Sequence, residues 1–228
     1  MTAEPLILAV DTAGPVAGLA LLRGEQLEGA WCARVVRGAE ARLAPAVQEL
    51  LQGRRPDAVA LASGPGAFTG LRVGVATALG LASAWGCPVV PVSSLLARAA
   101  LSPGQPLVLA LLDARKGRFY GGLFDTRSLV PAPVGPERDL PLAELLPSQF
   151  CIAVGEGAAV SRAQLLAAGH GLAMQPDANP APALARLGAH FLAQGQGLPA
   201  HAVAVRYLRP PDAVPPADVV AAAADRGA

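Results

Sequence analysis

Two segments of this 228-residue chain are weak copies of each other. LILAVDTAGPVAGLALL begins at Leu6, and LVLALLDARKGRFYGGLF begins at Leu107. Each is a short apolar run ending in an aspartate, then a tight turn, then a second apolar run. Short apolar runs bounded by turn residues read as buried strands. The chain therefore reads as a degenerate internal repeat, with one hairpin opening each copy.

Between the copies the pattern alternates. Val16 to Arg23 and Gln26 to Cys32 continue an antiparallel three-strand start. A helix over Ala39 to Gln52 presents Leu43, Val47, Leu50 and Leu51 on one apolar face. Pro45 lies inside it, so the pattern predicts a start nearer Ala44, with Pro45 in the first turn. Asp57 to Ser63 is a strand, Leu71 to Trp85 a helix, and Pro88 to Val92 a strand. This is the alternation of a parallel α/β sheet. After the loop Ser102-Pro103-Gly104-Gln105-Pro106 the repeat restarts. The later segments predict strands at Phe150 to Val154 and Ala202 to Leu208, and helices at Ser161 to Ala168 and Pro182 to Gln194. The expected organisation is an N-terminal lobe over 1–104, a smaller lobe over 105–209, and a Pro/Ala-rich frayed tail over 210–228.

Composition narrows the function. Basic residues number 18 and acidic ones 17, a net charge of +1. A chain that grips nucleic acid alone carries a basic excess or stripe, so contact with tRNA is expected only through a complex. Lys116 is the only lysine, which excludes a P-loop with its phosphate-gripping lysine. Cys32, Cys87 and Cys151 are dispersed and odd in number, which predicts reduced, buried thiols and a cytoplasmic setting. His170, His190 and His201 have no metal-ligand spacing. Gly86, Pro88 and Pro91 interrupt the uncharged stretch from Val73 to Ala97, so no membrane span is expected.

Asp11 and Thr12 are the first site candidates, because ligands gather at the carboxyl ends of strands in open α/β sheets. Asp11 can hold a hydrated magnesium ion while turn amides cradle a phosphate. Equally, it can close a side-chain turn on its own backbone. Pro15 removes an amide donor, and the second turn, Asp113-Ala114-Arg115-Lys116-Gly117, is bulky where close approach to phosphate favours glycine. Both details favour the turn and make the phosphate loop degenerate. Gly64-Pro65-Gly66-Ala67-Phe68-Thr69-Gly70 reads as a structural elbow, with Thr69 or a neighbouring amide capping the next helix. That helix has two small-residue faces, Gly74/Ala78/Ala82 and Ala76/Gly80/Ala84. One must pack on the sheet, and the other suits a partner helix. The turn Val154-Gly155-Glu156-Gly157 either touches a nucleotide base or simply joins strand to helix.

The segments ILAVDTA, GPGAFTGLRVGVATALGLA, LALLDARKGRFYGGLFD, VGEG and YLR, in this order, closely resemble the TsaB family of tRNA threonylcarbamoyladenosine biosynthesis proteins. The resemblance runs from residue 6 to about 209. It implies a two-lobed α/β fold of the actin-like ATPase, RNase H-like superfamily. It also implies a non-catalytic scaffold that pairs with a homologous catalytic subunit, TsaD, and with the ATPase TsaE, while the sequence leaves both monomer and homodimer open for the chain alone. TsaD holds its metal with a His-x-x-x-His pair. The matching helix here, Ala39 to Gln52, has no histidine, so this chain is expected to need no cofactor, with a nucleotide at most at the partner interface. The resemblance places the docking surface on the two N-terminal helices, with Leu43, Val47, Leu71, Gly74, Val75, Ala78 and Ala82 as contacts. Two positions depart from the family: Ala67 replaces a usual serine and Val205 a usual proline. The rival functions are an autonomous ATPase or small-molecule kinase using Asp11 and Asp113, and a glycoprotease-like metallopeptidase.

Overall fold

The computed structural model describes residues 4–34 and 39–209. The tail expected over 210–228 lies outside the described residues. The first half contains β1 (Leu6–Asp11), β2 (Val16–Arg23), β3 (Gln26–Arg34), α1 (Ala39–Leu51), β4 (Ala58–Ala62), α2 (Phe68–Trp85), β5 (Val89–Val92) and α3 (Ser94–Ala99). The second half contains β6 (Val108–Asp113), β7 (Arg118–Asp125), β8 (Ala132–Pro133), β9 (Arg138–Pro141), α4 (Leu142–Leu145), β10 (Ile152–Val154), α5 (Glu156–Val160), α6 (Arg162–Ala167), β11 (Gly171–Leu172) and α7 (Ala181–Ala193), followed by a 3₁₀ turn at Ala200–Ala202.

The two sheets repeat one topology. The first has the order β3-β2-β1-β4-β5, and the second β11-β10-β6-β7-β8 with β9 also on β7. In the first, β1 and β2 form an antiparallel hairpin while β4 and β5 run parallel to β1. In the second, β6 and β7 form the hairpin while β10 and β11 run parallel to β6. The duplicated strand-aspartate-turn-strand segments are the two hairpins, as the sequence predicts.

Side chains alternate across each strand, and both faces of the first sheet are buried. Leu6, Leu8, Val10, Leu19 and Leu21 face α1 and α2, meeting Leu43, Val47, Leu51, Val75, Ala78 and Ala82. Ile7, Ala9, Ala20, Ala58 and Ala60 face the other way, onto Leu184, Ala185 and Leu187 of α7 and Leu95 of α3. That cluster continues into Val108, Ala110 and Leu112 of β6, so one core spans both sheets. Gly188 permits the contact of α7 with β4, since a Cβ there would stand 2.4 Å from Ala60 Cβ. The outer face of the second sheet closes with Leu109, Leu111, Ala153, Leu145 and Leu165.

Several elements differ from expectation. Helix α1 runs through Pro45 from Ala39; the ring removes one internal hydrogen bond, and the apolar face supplies the compensating burial. Helix α3 has six residues, too short for a periodic signal. The expected strand near Ala202 to Leu208 is instead an extended strap, because Leu198 already pairs with Val89 at the β5 edge.

The residues expected to meet a partner are buried in the chain's own core. Leu43, Val47, Leu71, Val75, Ala78 and Ala82 are each at most 9% exposed. Gly74 is buried too, where a Cβ would stand 2.1 Å from Thr12 Oγ1. The reason is the heptad-like phase of α2: Gly74, Ala78 and Ala82 are the face that lets the helix lie close on β1 and β4. The outward face carries Arg72, Ala76, Gly80, Ser83 and Ala84. Ala78→Leu should therefore overpack the core, a change that typically costs about 1–3 kcal/mol. The expected result is a fall in the chain's own melting temperature of about 2–12 °C, measured by thermal unfolding of the isolated chain.

Candidate functional site

The glycine-rich elbow and the turn after β1 are two halves of one contact. Ala67 N–H donates to Ala13 O (2.7 Å), and Thr12 Oγ1 donates to Gly70 O (2.7 Å). A Cβ on Gly66 would stand 2.4 Å from Ala13 O, and one on Gly70 2.2 Å from Thr12 O. Gly64 adopts φ 120°, with its open side against Arg206 O. The glycines are there because backbone meets backbone. Ala67 is the N-cap residue of α2 and supplies no side-chain cap, and Thr69 lies inside the first turn. The expected capping role of Thr69 is thereby corrected.

Asp11 lies at the end of β1 and is fully buried. Its Oδ1 accepts from Ala13 N (2.9 Å), closing the side-chain turn, and its Oδ2 accepts from Arg98 Nη1 (3.0 Å). Arg98 comes from α3 and is 1% exposed. Its Nη1 also donates to Ser94 O (2.9 Å). Its Nε and Nη2 donate to Glu156 Oε2 (2.8 Å) and Oε1 (2.9 Å) in a bidentate pair. Glu156, in the first turn of α5, is 4% exposed. One guanidinium thus holds a carboxylate from each half of the molecule.

Three glycines make room for this cluster. A Cβ on Gly14 would stand 2.4 Å from Glu156 Oε1 and 3.0 Å from Arg98 Nη2. Gly155, at φ 97°, and Gly157 both press on Leu111 backbone, bringing Glu156 in against β6. Burial pushes the Asp11 carboxyl up, by more than Arg98 lowers it. Burial also pushes Glu156 up, but the Arg98 charge and hydrogen bonds outweigh it and hold Glu156 below the ordinary carboxylate range. Burial alone lowers the Arg98 guanidinium, but the two carboxylates raise it by more.

The sequence leads one to expect a magnesium ion and a phosphate at the end of β1, and the residues present do not fit them. Both oxygens of Asp11 are committed, Ala13 N is bonded to Asp11, and Pro15 has no amide hydrogen. The Glu156 carboxylate occupies the space above Gly14. Thr12 directs its hydroxyl at Gly70 O, away from any phosphate. The second turn does not bring Asp113 to this cluster either; Asp113 Oδ1 accepts from Arg115 N (2.8 Å). Sequence reasoning singled out Asp11 and the Glu156 turn but missed Arg98. The available signal was an isolated arginine in the apolar run Leu95-Leu96-Ala97-Arg98-Ala99-Ala100. Such a charge is buried only when paired.

The strap over 203–209 ties the halves together on another side. Arg206 N donates to Ser63 O (2.8 Å), and Arg206 Nη1 to Glu137 Oε2 (2.8 Å). Tyr207 packs on Phe68 with ring centroids 5.3 Å apart, and the Arg72 guanidinium lies 3.7 Å over the same ring. Arg209 pairs with Asp139 through Nε (2.6 Å) and Nη2 (2.9 Å).

Other chemistry-bearing groups stand apart from this cluster. Cys151 Sγ is 3.5 Å from His170 Nδ1, and burial pushes the Cys151 thiol up to about 11. Cys32, in contrast, is exposed, against the expectation of burial. Among the described residues, no three His, Cys, Asp or Glu side chains group as metal ligands, and no helix is long and apolar enough to cross a membrane. Between α1 and α2 lies a largely apolar cleft of about 350 Å³, lined by Val47, Leu51, Thr77, Leu81 and Trp85 with Arg54 and Arg55.

Two mixed sheets of related topology, one of five strands and one of six, define a two-lobed α/β protein with a buried protein cation between the lobes. The family model for TsaD, tRNA N6-adenosine threonylcarbamoyltransferase, matches residues 34–129. The tRNA threonylcarbamoyladenosine biosynthesis protein TsaB of Bacillus subtilis is 33% identical over 61% of this chain and 64% of its own length. TsaB of Escherichia coli is 35% identical over 50% of this chain and 52% of its own. The chain thus spans between half and two thirds of these curated relatives. The structure of YeaZ from Pseudomonas aeruginosa superposes with a TM-score of 0.75 at 27% identity, covering 90% of this chain and all of that one. The chain is thus similar to TsaB proteins in sequence over these spans and to YeaZ in fold over nearly its whole described length.

Ala67 now has a physical reading. A serine at an N-cap position accepts a bond from the first-turn amides and is worth about 0.5–2 kcal/mol over alanine. Ala67→Ser should raise the melting temperature by about 2–4 °C. An unchanged melting temperature would mean that the α2 amides are already satisfied by another group.

Proposed function

We propose that the chain is a non-catalytic scaffold subunit of the cytoplasmic assembly that forms N6-threonylcarbamoyladenosine next to the anticodon of tRNAs reading A-starting codons. The carrying observation is the committed crevice: Asp11, where a catalytic relative of this fold would bind its cation, is held by Arg98. The names of the relatives support the pathway. The near-neutral charge supports contact with tRNA only through partners.

The partner in this reading is the homologous catalytic subunit TsaD, with the ATPase TsaE joining the pair. The docking surface is the outward side of α1 and α2 around the cleft at Thr77, Leu81 and Trp85. Its occupant is a matching helix pair from TsaD. The TsaD family model matches this chain over 34–129, a range containing both helices, so the two subunits carry related surfaces suited to a pseudo-twofold pairing. A second copy of this chain takes the same face when TsaD is absent. The chain itself requires no cofactor, and any nucleotide belongs at the TsaD interface.

Gly80 makes a clean probe, because a Cβ there meets nothing within 4 Å inside the chain. Gly80→Leu also improves helix propensity, by up to about 1 kcal/mol. The expected outcome is an unchanged or higher melting temperature, with TsaD affinity weakened tenfold or more, equivalent to about 1.4 kcal/mol. Equal affinity of variant and wild type, measured by calorimetry, would move the interface off this helix face.

The catalytic division is tested separately. Purified alone with tRNA and threonylcarbamoyl-adenylate, the chain should give no modified adenosine by nucleoside mass spectrometry. Addition of TsaD, TsaE and the adenylate-forming enzyme should restore it. Product from the isolated chain would overturn the scaffold reading in favour of an autonomous enzyme.

A further inference from the structure

We propose that Arg98 is a built-in counter-cation that locks the two halves of the molecule into one rigid body, and that shortening it converts the crevice into a binding site for free guanidinium. The inference is independent of the partner role. The carboxylates come from opposite halves, Asp11 from the end of β1 and Glu156 from the start of α5, and among the described residues Arg98 is the side chain that bonds both. All three side chains are at most 5% exposed, so solvent cannot screen the pair when the cation is removed. Removing one partner of a buried ion pair leaves an uncompensated charge and is strongly destabilising.

The geometry selects the cation. Glu156 takes two parallel N–H donors, while Asp11 and Ser94 O share the remaining nitrogen, Nη1. A planar fork satisfies this set; a point charge such as an ammonium does not. With Arg98 cut to alanine, the acceptors and the vacated volume remain, and the ion that restores both shape and charge is guanidinium itself.

The test is thermal unfolding of the full chain with Arg98→Ala, in millimolar guanidinium chloride and in sodium chloride of equal ionic strength. The variant should melt at least about 6 °C below wild type. Guanidinium should raise its melting temperature by about 3 °C or more relative to sodium, while leaving wild type unmoved. Arg98→Lys should melt between the two. Parallel behaviour of variant and wild type in both salts would overturn the proposal. If Arg98→Ala does not fold, wild type still decides. The Arg98 Nε proton should exchange with solvent as slowly as the core amides of β1 when followed by nuclear magnetic resonance. Rapid exchange, or a rise in wild-type melting temperature with magnesium–ATP, would mean that the halves part in solution and the lock is not there.

Discussion

A single guanidinium shared by two buried carboxylates is the contact on which the rest of the structure converges. Burying ions is costly, and their attraction repays the cost only when geometry is good and the remaining donors are satisfied. Here the supporting parts are visible. Ser93 caps α3 by accepting from Leu95 N (3.2 Å) and Leu96 N (3.3 Å). Ser94 N donates to Gly64 O (3.0 Å), and Gly64 N donates to Ser94 Oγ (3.1 Å), so the elbow holds the helix that carries Arg98. The glycines flanking Glu156 then bring the second half to the same point. Elbow, α3, β1 and α5 are mutually dependent.

The glycine signature has the same logic at shorter range. Gly66, Gly70 and Gly74 each face the backbone or hydroxyl of Thr12 and Ala13. The two segments that look most like ligand loops in sequence are spent on each other. This explains how the chain can keep glycine-rich motifs that look like ligand loops while its strand-end aspartate is closed off. The motifs specify how α2 lies on β1, and that placement also sets which side of α2 is left to face outward.

The strands were legible because β1, β4 and β6 are continuous apolar runs and because the repeat marked both hairpins. The docking face was misread for an equally physical reason. Small residues at four-residue spacing on α2 occur on two sides, Gly74/Ala78/Ala82 and Ala76/Gly80/Ala84, and spacing alone does not say which side meets the sheet. The long-range contact between Gly74 and Thr12 decides it. Arg98 was invisible to local patterning because its partners lie 87 and 58 residues away. The strap at 203–209 was read as a strand because Val203 and Val205 favour extended backbone, yet its anchors are one backbone bond to Ser63, side-chain charges and an aromatic pair, which leave no periodic trace.

Helix α7 has a consequence for how the chain is made. The first sheet is completed by residues 181–193, which cover the face holding Ile7, Ala9, Ala20 and Ala60, and then by Arg206 on Ser63. During synthesis the amino-terminal strands leave the ribosome long before the helix that covers them. Until then an alanine- and isoleucine-lined surface stays open, and contacts of such long sequence separation form slowly. Nascent chains with uncovered apolar sheets are the species that chaperones hold. The order of translation therefore makes the earliest-synthesised sheet among the last parts of this protein to be sealed.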